Sequence, residues 1–264
     1  MFSEDANVRE IQEESLHALM YFHELCVSND IHYSIHAGTM LGAVREKGFI
    51  QWDDDVDISM TREEYNKFES LLKTIQLEKW FSFDKKTYET PHVCLHRPGK
   101  PLVWLSIFVY DYISEIKAIQ KLKTYIIATY YILMSRKDKN KKNNNKGIKK
   151  AIVCAIQIMG THMDREKMLT SYQYFCEHCL VGDKKYIQRS NDRYCDIGVK
   201  KIIPYKWMSE YQEILFEGKI VEVSSYYNNI LESSYGEDYM IPKKDNSKEE
   251  MHQFLRETLI RGED

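Results

Sequence analysis

Residues 37–60 read AGTMLGAVREKGFIQWDDDVDISM, and the end of that stretch, from Asp53 to Met60, decides what kind of sheet and site the chain builds. Val56-Asp57-Ile58-Ser59-Met60 alternates in the manner of a strand. That geometry puts Asp55 and Asp57 on one face and sends Val56 and Ile58 into the core from the other. Two carboxylates then point at one spot. Like charges that close repel, so the pair is unfavourable unless a divalent cation sits between them. A hard oxygen-donor site with open positions suits Mg²⁺ or Mn²⁺ carrying substrate phosphates. A solvated acidic turn is the plainer meaning of most such runs, and the strand pattern around this one argues against it.

Upstream, His32-Tyr33-Ser34-Ile35-His36 predicts a strand ending at Ala37-Gly38-Thr39. Glycine after a strand lets backbone N–H groups approach an anion, and a short helix over Met40–Glu46 would aim its positive end at the same place. Thr39 could cap that helix or touch phosphate. Arg45 offers a planar fork for phosphate, although a single arginine on a helix is more often solvated. Trp52 could stack on a base or face a quaternary ammonium, and core packing is the commoner use of a lone tryptophan.

Gly38-Thr39-Met40-Leu41-Gly42-Ala43-Val44-Arg45, then Gly48-Phe49-Ile50, then Trp52-Asp53-Asp54-Asp55-Val56-Asp57 together resemble the signature of the LicD family of phosphotransferases, related to the fukutin-type enzymes and to the nucleotidyltransferase superfamily. The likeness continues more weakly through Ile107–Asp111, Phe216-Glu217-Gly218, and Leu231 with Tyr235-Gly236. It implies an α/β fold, a nucleotidyltransferase-like mixed sheet flanked by helices, with an appended C-terminal helical region. The implied activity is transfer of a phospho-alcohol head group such as phosphocholine, from a CDP-activated donor to a hydroxyl of a cell-surface glycan or lipid-linked glycan. Residue by residue, Asp55 and Asp57 match the metal-binding pair, Asp53 a nearby acidic position, and Gly38 with Thr39 the phosphate-contacting turn.

The chain departs from the family pattern at two positions. Ser106 stands where an aspartate usually precedes Ile-Phe and would be the third metal ligand. Asp111 cannot replace it, because in an extended strand it has the opposite parity. Gln51 replaces the usual proline before the Trp-Asp run, which loosens the loop but removes no ligand. Two alternatives stay open, the first from the shared fold and the second from Ser106. One is a nucleotidyltransferase that releases pyrophosphate, and the other is a non-catalytic nucleotide- or glycan-binding relative.

Length and composition accord with an enzyme of one sizeable core. The chain has 264 residues, 43% of them apolar, and a net charge of −3, which argues against general nucleic-acid binding. No apolar stretch follows Ser3-Glu4-Asp5, so no signal peptide is expected, and the longest apolar run, Tyr125–Met134, is too short to span a bilayer. The expected location is cytoplasmic, or at the inner face of the membrane. The six cysteines are then free thiols. Cys176-Glu177-His178-Cys179 could be half of a zinc site only with help from Cys195 or His162, and packing explains it better.

Val8, Ile11, Ser15, Leu19, Phe22 and Cys26 predict a long opening helix. Thr61-Arg62-Glu63-Glu64 is a capping box for a helix over Arg62–Ile75. Strands are expected over 81–83, 92–96 and 102–110, and helices over 116–134, 149–181, 207–218 and 228–235. The domain reading is a catalytic core over 1–135, a Lys/Asn-rich linker over 136–150, and a helical region over 151–264 that completes the cleft. Eight basic residues lie between Arg136 and Lys150. A solvated linker is their favoured meaning, and peripheral contact with an anionic membrane is the other. His252, beside Glu249 and Glu250, reads as a surface helix residue rather than a base.

Overall fold

The computed structural model describes residues 8–85, 90–134, 148–190 and 202–242. The architecture is the expected α/β arrangement, a mixed sheet flanked by helices with a helical region toward the C-terminal side. The chain divides into two compact units, residues 1–109 with 206–264, and residues 110–205. The expected boundaries at 135 and 151 are not where the compact units part.

In the first unit, α1 (Val8–Ser28) buries Ile11, Ser15, Leu19, Phe22 and Cys26, the stripe anticipated from the spacing. Its buried Glu14 is held by the Arg97 guanidinium, Nε to Oε2 at 2.8 Å and Nη2 to Oε1 at 2.5 Å, a bidentate fork that satisfies an otherwise costly buried charge. The strands are β1 (Ser34–Ile35), β2 (Val56–Thr61), β3 (Phe81–Asp84), β4 (His92–Leu95) and β5 (Val103–Ile113). Their order in the sheet is β1-β2-β5-β4-β3. β1 runs antiparallel to β2 with Ile35 opposite Ile58, and β4 runs antiparallel to both β3 and β5.

Between the strands lie α2 (Ala37–Arg45) and α3 (Arg62–Leu72). The Thr61 hydroxyl accepts from the Glu64 N–H at 3.4 Å, so Thr61 caps the helix as read, but the Glu64 carboxylate accepts from the His32 N–H and Lys67 Nζ instead of closing the box, and the helix stops three residues short of Ile75.

The region 207–218 corrects the expectation of a helix. A 3-10 turn over Tyr205–Met208 is followed by a hairpin whose strands are β8 (Tyr211–Phe216) and β9 (Lys219–Ser224). Gly218 is not a helix stop. With Glu217 it forms a two-residue turn in which both residues are left-handed, φ 49° and 71°, the conformation that matches the twist of paired strands. The hairpin is fastened beside β1: the Ser224 N–H donates to Ser34 Oγ at 2.9 Å, and His32 Nδ1 lies 2.6 Å from Glu222 Oε1. Burial raises the Glu222 carboxyl above its ordinary range, and His32 partly offsets this. α7 (Tyr227–Tyr235) ends as expected at Gly236, φ 91°.

In the second unit, Tyr110–Ile113 of β5 pairs with β6 (Tyr186–Arg189), which pairs with β7 (Ile202–Pro204); neither β6 nor β7 was anticipated. α4 (Lys117–Met134), α5 (Ile148–Thr161) and α6 (Arg165–His178) supply the helices. The single helical stretch expected over 149–181 is two helices, because Asp164 caps α6 by accepting from the Lys167 N–H at 3.1 Å. Ile127, Tyr131, Met134, Met168, Leu169 and Tyr172 form its core. Lys123 is fully buried, and its ammonium donates to the carbonyls of Tyr112 at 2.8 Å and Cys176 at 2.7 Å, the latter in the last turn of α6 where a cation is favoured. The part of the basic run over 136–147, Cys195, and His252 with its two glutamates lie outside the described residues.

Candidate functional site

The site begins where the loop from Glu46 enters β2. Asp55 and Asp57 are half-buried, while Val56 and Ile58 between and beyond them are fully buried. This is the alternation anticipated from the sequence, although the strand itself starts only at Val56. Beyond Ile58 the strand is buried on both faces, so the two carboxylates stand at its one accessible end.

α2 starts directly off β1. Ala37, in the left-handed region at φ 44°, turns the chain, His36 is the N-cap, and the first helical turn holds Ala37, Gly38 and Thr39. The helix therefore begins three residues earlier than Met40, and Thr39 does not cap it. Instead the buried Thr39 hydroxyl accepts from the Asp57 N–H at 2.9 Å, and the His36 N–H donates to the Asp57 carbonyl at 2.8 Å. The backbone of Asp57 is thus held on both sides by the start of α2.

Asp53 lies at this same helix end. It is buried, and a Cβ built on Gly38 would come closer than 3.0 Å to Asp53 Oδ2. The missing side chain of Gly38 makes room for a carboxylate at the N-terminal turn, where the helix dipole favours an anion. Gln12 of α1 completes the arrangement by donating from Nε2 to the carbonyls of Asp53 at 2.8 Å and Ile50 at 3.3 Å. Sequence reasoning missed Gln12. Its signal was a polar residue on the apolar stripe of an amphipathic helix, beside Ile11 and three residues before Ser15.

The remaining candidates separate. Arg45 is the last residue of α2, and at ~1.5 Å of rise per residue its backbone stands roughly 10 Å from that of Gly38. Its Nε lies 2.7 Å from Glu46 Oε1, and its Nη1 donates to the Tyr239 carbonyl at 3.5 Å. Gly38 and Arg45 are therefore at opposite ends of one helix. Trp52 is half-buried in the turn before Asp53.

Ser106 is buried on β5 opposite His92 of β4. Phe108, two residues on and so on the same face, sits with its ring 5.2 Å from that of His36, the extended residue paired with Asp57. Ser106 thus shares the sheet face of Asp57. Asp111 lies on the opposite face, fully buried in the second unit, as its parity required.

Among the described residues no group of three or more His, Cys, Asp or Glu is arranged to hold a metal ion. Cys176 of the C-x-x-C pair is buried against Tyr172 in the helical core. At the Asp55–Asp57 end, two accessible carboxylates fit a cation that keeps waters and takes its other ligands from phosphate, the habit of Mg²⁺.

An aspartate pair thus opens one strand, with a glycine-threonine helix start stitched to it. Residues 30–123 match the LicD/FKTN/FKRP nucleotidyltransferase domain. Over that stretch the chain is similar to the LicD family. It is 28% identical over 259 residues to the lipopolysaccharide cholinephosphotransferase LicD of Haemophilus influenzae, covering 91% of this chain and 94% of that protein. It is 33% identical over 131 residues to an uncharacterized protein of Rickettsia prowazekii, covering 44% of this chain and 49% of the other.

Proposed function

We propose that this phosphotransferase moves a phospho-alcohol head group, phosphocholine in the first instance, from a CDP-activated donor to a hydroxyl of a cell-surface glycan such as lipopolysaccharide. The observation that carries the reading is the Asp55–Asp57 pair at the accessible end of β2, in a chain similar along nearly its whole length to a cholinephosphotransferase. Asp55 and Asp57 would hold a divalent cation, Mg²⁺ or Mn²⁺, which when bound would supply neutralisation of phosphate charge. The acceptor oxygen bonds to the distal phosphorus as the bond from that phosphorus to CMP breaks, in line. Asp57 takes the hydroxyl proton, being the accessible carboxylate whose backbone is fixed at both N–H and C=O. Asp53, buried at the start of α2, is a positioning residue for the helix end rather than a base. Arg45 braces the far end of α2 against the Tyr239 segment.

The test is product analysis after incubation with CDP-choline and other CDP-alcohols, a glycan acceptor and Mg²⁺. CMP with a phosphorylated acceptor supports the reading. Pyrophosphate would identify a nucleotidyltransferase instead, and tight donor binding without any product would leave a binding protein.

Ser106 sharpens the metal assignment. On the face of Asp57 it offers a neutral, weak ligand, so Ser106→Asp should tighten Mn²⁺ binding by about tenfold. Titration of the protein with Mn²⁺, followed by its electron paramagnetic resonance, reads this without any substrate. An unchanged affinity would mean that Ser106 does not reach the metal.

The reaction belongs in the cytoplasm at the inner face of the membrane. No helix among the described residues is long and apolar enough to cross a bilayer. Leu122 and Tyr125 of α4 are 50% and 56% exposed, with Lys117 and Lys121 at helical spacing on the same side. From Lys117 to Thr161 the sequence holds eleven Lys or Arg and one acidic residue, Asp138, in a chain of net charge −3. We therefore expect sedimentation with phosphatidylglycerol vesicles that is lost in high salt and weakened by Leu122→Ser with Tyr125→Ser. Equal recovery with neutral vesicles would return the basic run to the solvated-linker reading.

A further inference from the structure

Two stretches far apart in the chain, Glu46–Ile50 and Phe216–Gly218, meet in the first unit. Glu217 Oε1 accepts from the Phe49 N–H at 3.1 Å, and the Glu217 N–H donates to the Lys47 carbonyl at 2.9 Å. Glu217 Oε2 accepts from Arg9 Nη2 of α1 at 3.0 Å. A Cβ on Gly48 would come closer than 3.0 Å to Glu217 Oε1, so only glycine lets the carboxylate in. The ring of Phe49 meets that of Phe216 edge to face at 4.7 Å. Lys47 at φ 64° and Glu217 at φ 49°, on the two sides of this contact, are both non-glycine residues in the left-handed region.

We infer that Glu217, at the tip of the β8–β9 hairpin, is a positioning residue for the loop that carries the aspartates. The loop is held twice. Glu217 holds Lys47 and Phe49, and Gln12 holds Ile50 and Asp53. The Asp53 N–H also donates to the Ile50 carbonyl at 2.9 Å, which makes residues 50–53 one tight turn. Asp55 follows two residues later. A displacement at Phe49 therefore passes through a stiff turn to Asp53 and Asp55 instead of dissipating along a slack loop. The acceptor oxygen on the Phe49 amide is what holds the loop, while the second oxygen meets only the exposed Arg9. That this matters for metal binding and transfer rests on the function proposed above; the fixing of the loop does not.

The test compares Glu217→Ala, Glu217→Asp and Glu217→Gln by three measurements: Mn²⁺ affinity, turnover of CDP-choline, and amide hydrogen exchange over residues 49–57 with α1 as internal reference. Glutamine keeps an acceptor for the Phe49 N–H and should stay near the parent. Alanine should speed exchange in 49–57 without changing α1, and weaken Mn²⁺ by about tenfold, the low end for loss of a group supporting metal ligands. Aspartate keeps the charge but shortens the reach, and should fall between them even if the alanine variant folds poorly. Parent-like exchange in 49–57 for both the aspartate and alanine variants would overturn the inference. So would a loss of thermal stability in these variants with Mn²⁺ affinity unchanged, since that marks a merely structural contact. If the parent makes no product from any CDP-alcohol, the transferase reading falls, and exchange and Mn²⁺ affinity still decide the role of Glu217.

Discussion

Asp55→Asn and Asp57→Asn are each expected to lower turnover about a hundredfold or more, the scale seen when a group aimed at developing charge is removed. Neither should cost much stability. Both side chains are half-buried at the accessible end of β2, and the packing there is done by Val56 and Ile58. Without metal, removing one of two neighbouring negative charges relieves repulsion, so the melting temperature in EDTA should hold steady or rise slightly. Initial rates of CMP release at saturating Mg²⁺, beside thermal unfolding in EDTA, separate the two effects. Near-normal turnover in either variant would sink the two-carboxylate assignment.

Gly42→Ala should be the most damaging small substitution near the site. A Cβ at Gly42 would come closer than 3.0 Å to the Gly48 carbonyl, and it would also crowd the Ile50 N–H at 3.2 Å. The obstacle is backbone, which cannot rotate away as a side chain would. Alanine gains up to ~1 kcal/mol of helix propensity over glycine, and overpacking costs ~1–3 kcal/mol and sometimes more. Because the clash is with the loop itself, the second term should win. The expected net loss is about 2 kcal/mol, read as a fall in melting temperature of roughly 4–8 °C for a domain of this size. Activity should fall with it, since the same loop leads to Asp53 and Asp55. A higher melting temperature would show that α2 and the loop can part without cost.

Much of the local geometry around the candidate site was legible in the sequence. The alternation around Asp55 and Asp57, the N-cap at Thr61 and the apolar stripe of α1 each depend on residues a few positions apart, and local pattern places them. What failed was conformation at single residues and partnership across long separations. Ala37 turns left-handed, which starts α2 early and gives Thr39 a different partner. Glu217-Gly218 invited the reading of a helix stop, yet it is flanked by Ile214 and Phe216 on one side and Val221 and Val223 on the other. That alternation is a hairpin's. Gln12 and Glu217 act on a loop 38 and 168 positions away, and no local pattern points from one to the other.

Because the hairpin that clasps Gly48 belongs to the first unit while residues 110–205 form the second, the first unit is discontinuous in the chain. During synthesis its N-terminal portion leaves the ribosome with the Gly48 notch still vacant. At ~5–20 residues per second, the roughly 100 intervening residues mean a wait of about 5 to 20 s before Glu217 is made. Assembly of the acidic loop would then be among the last events of biogenesis, so a nascent chain stalled before residue 211 would hold the aspartates without the hairpin that sets them.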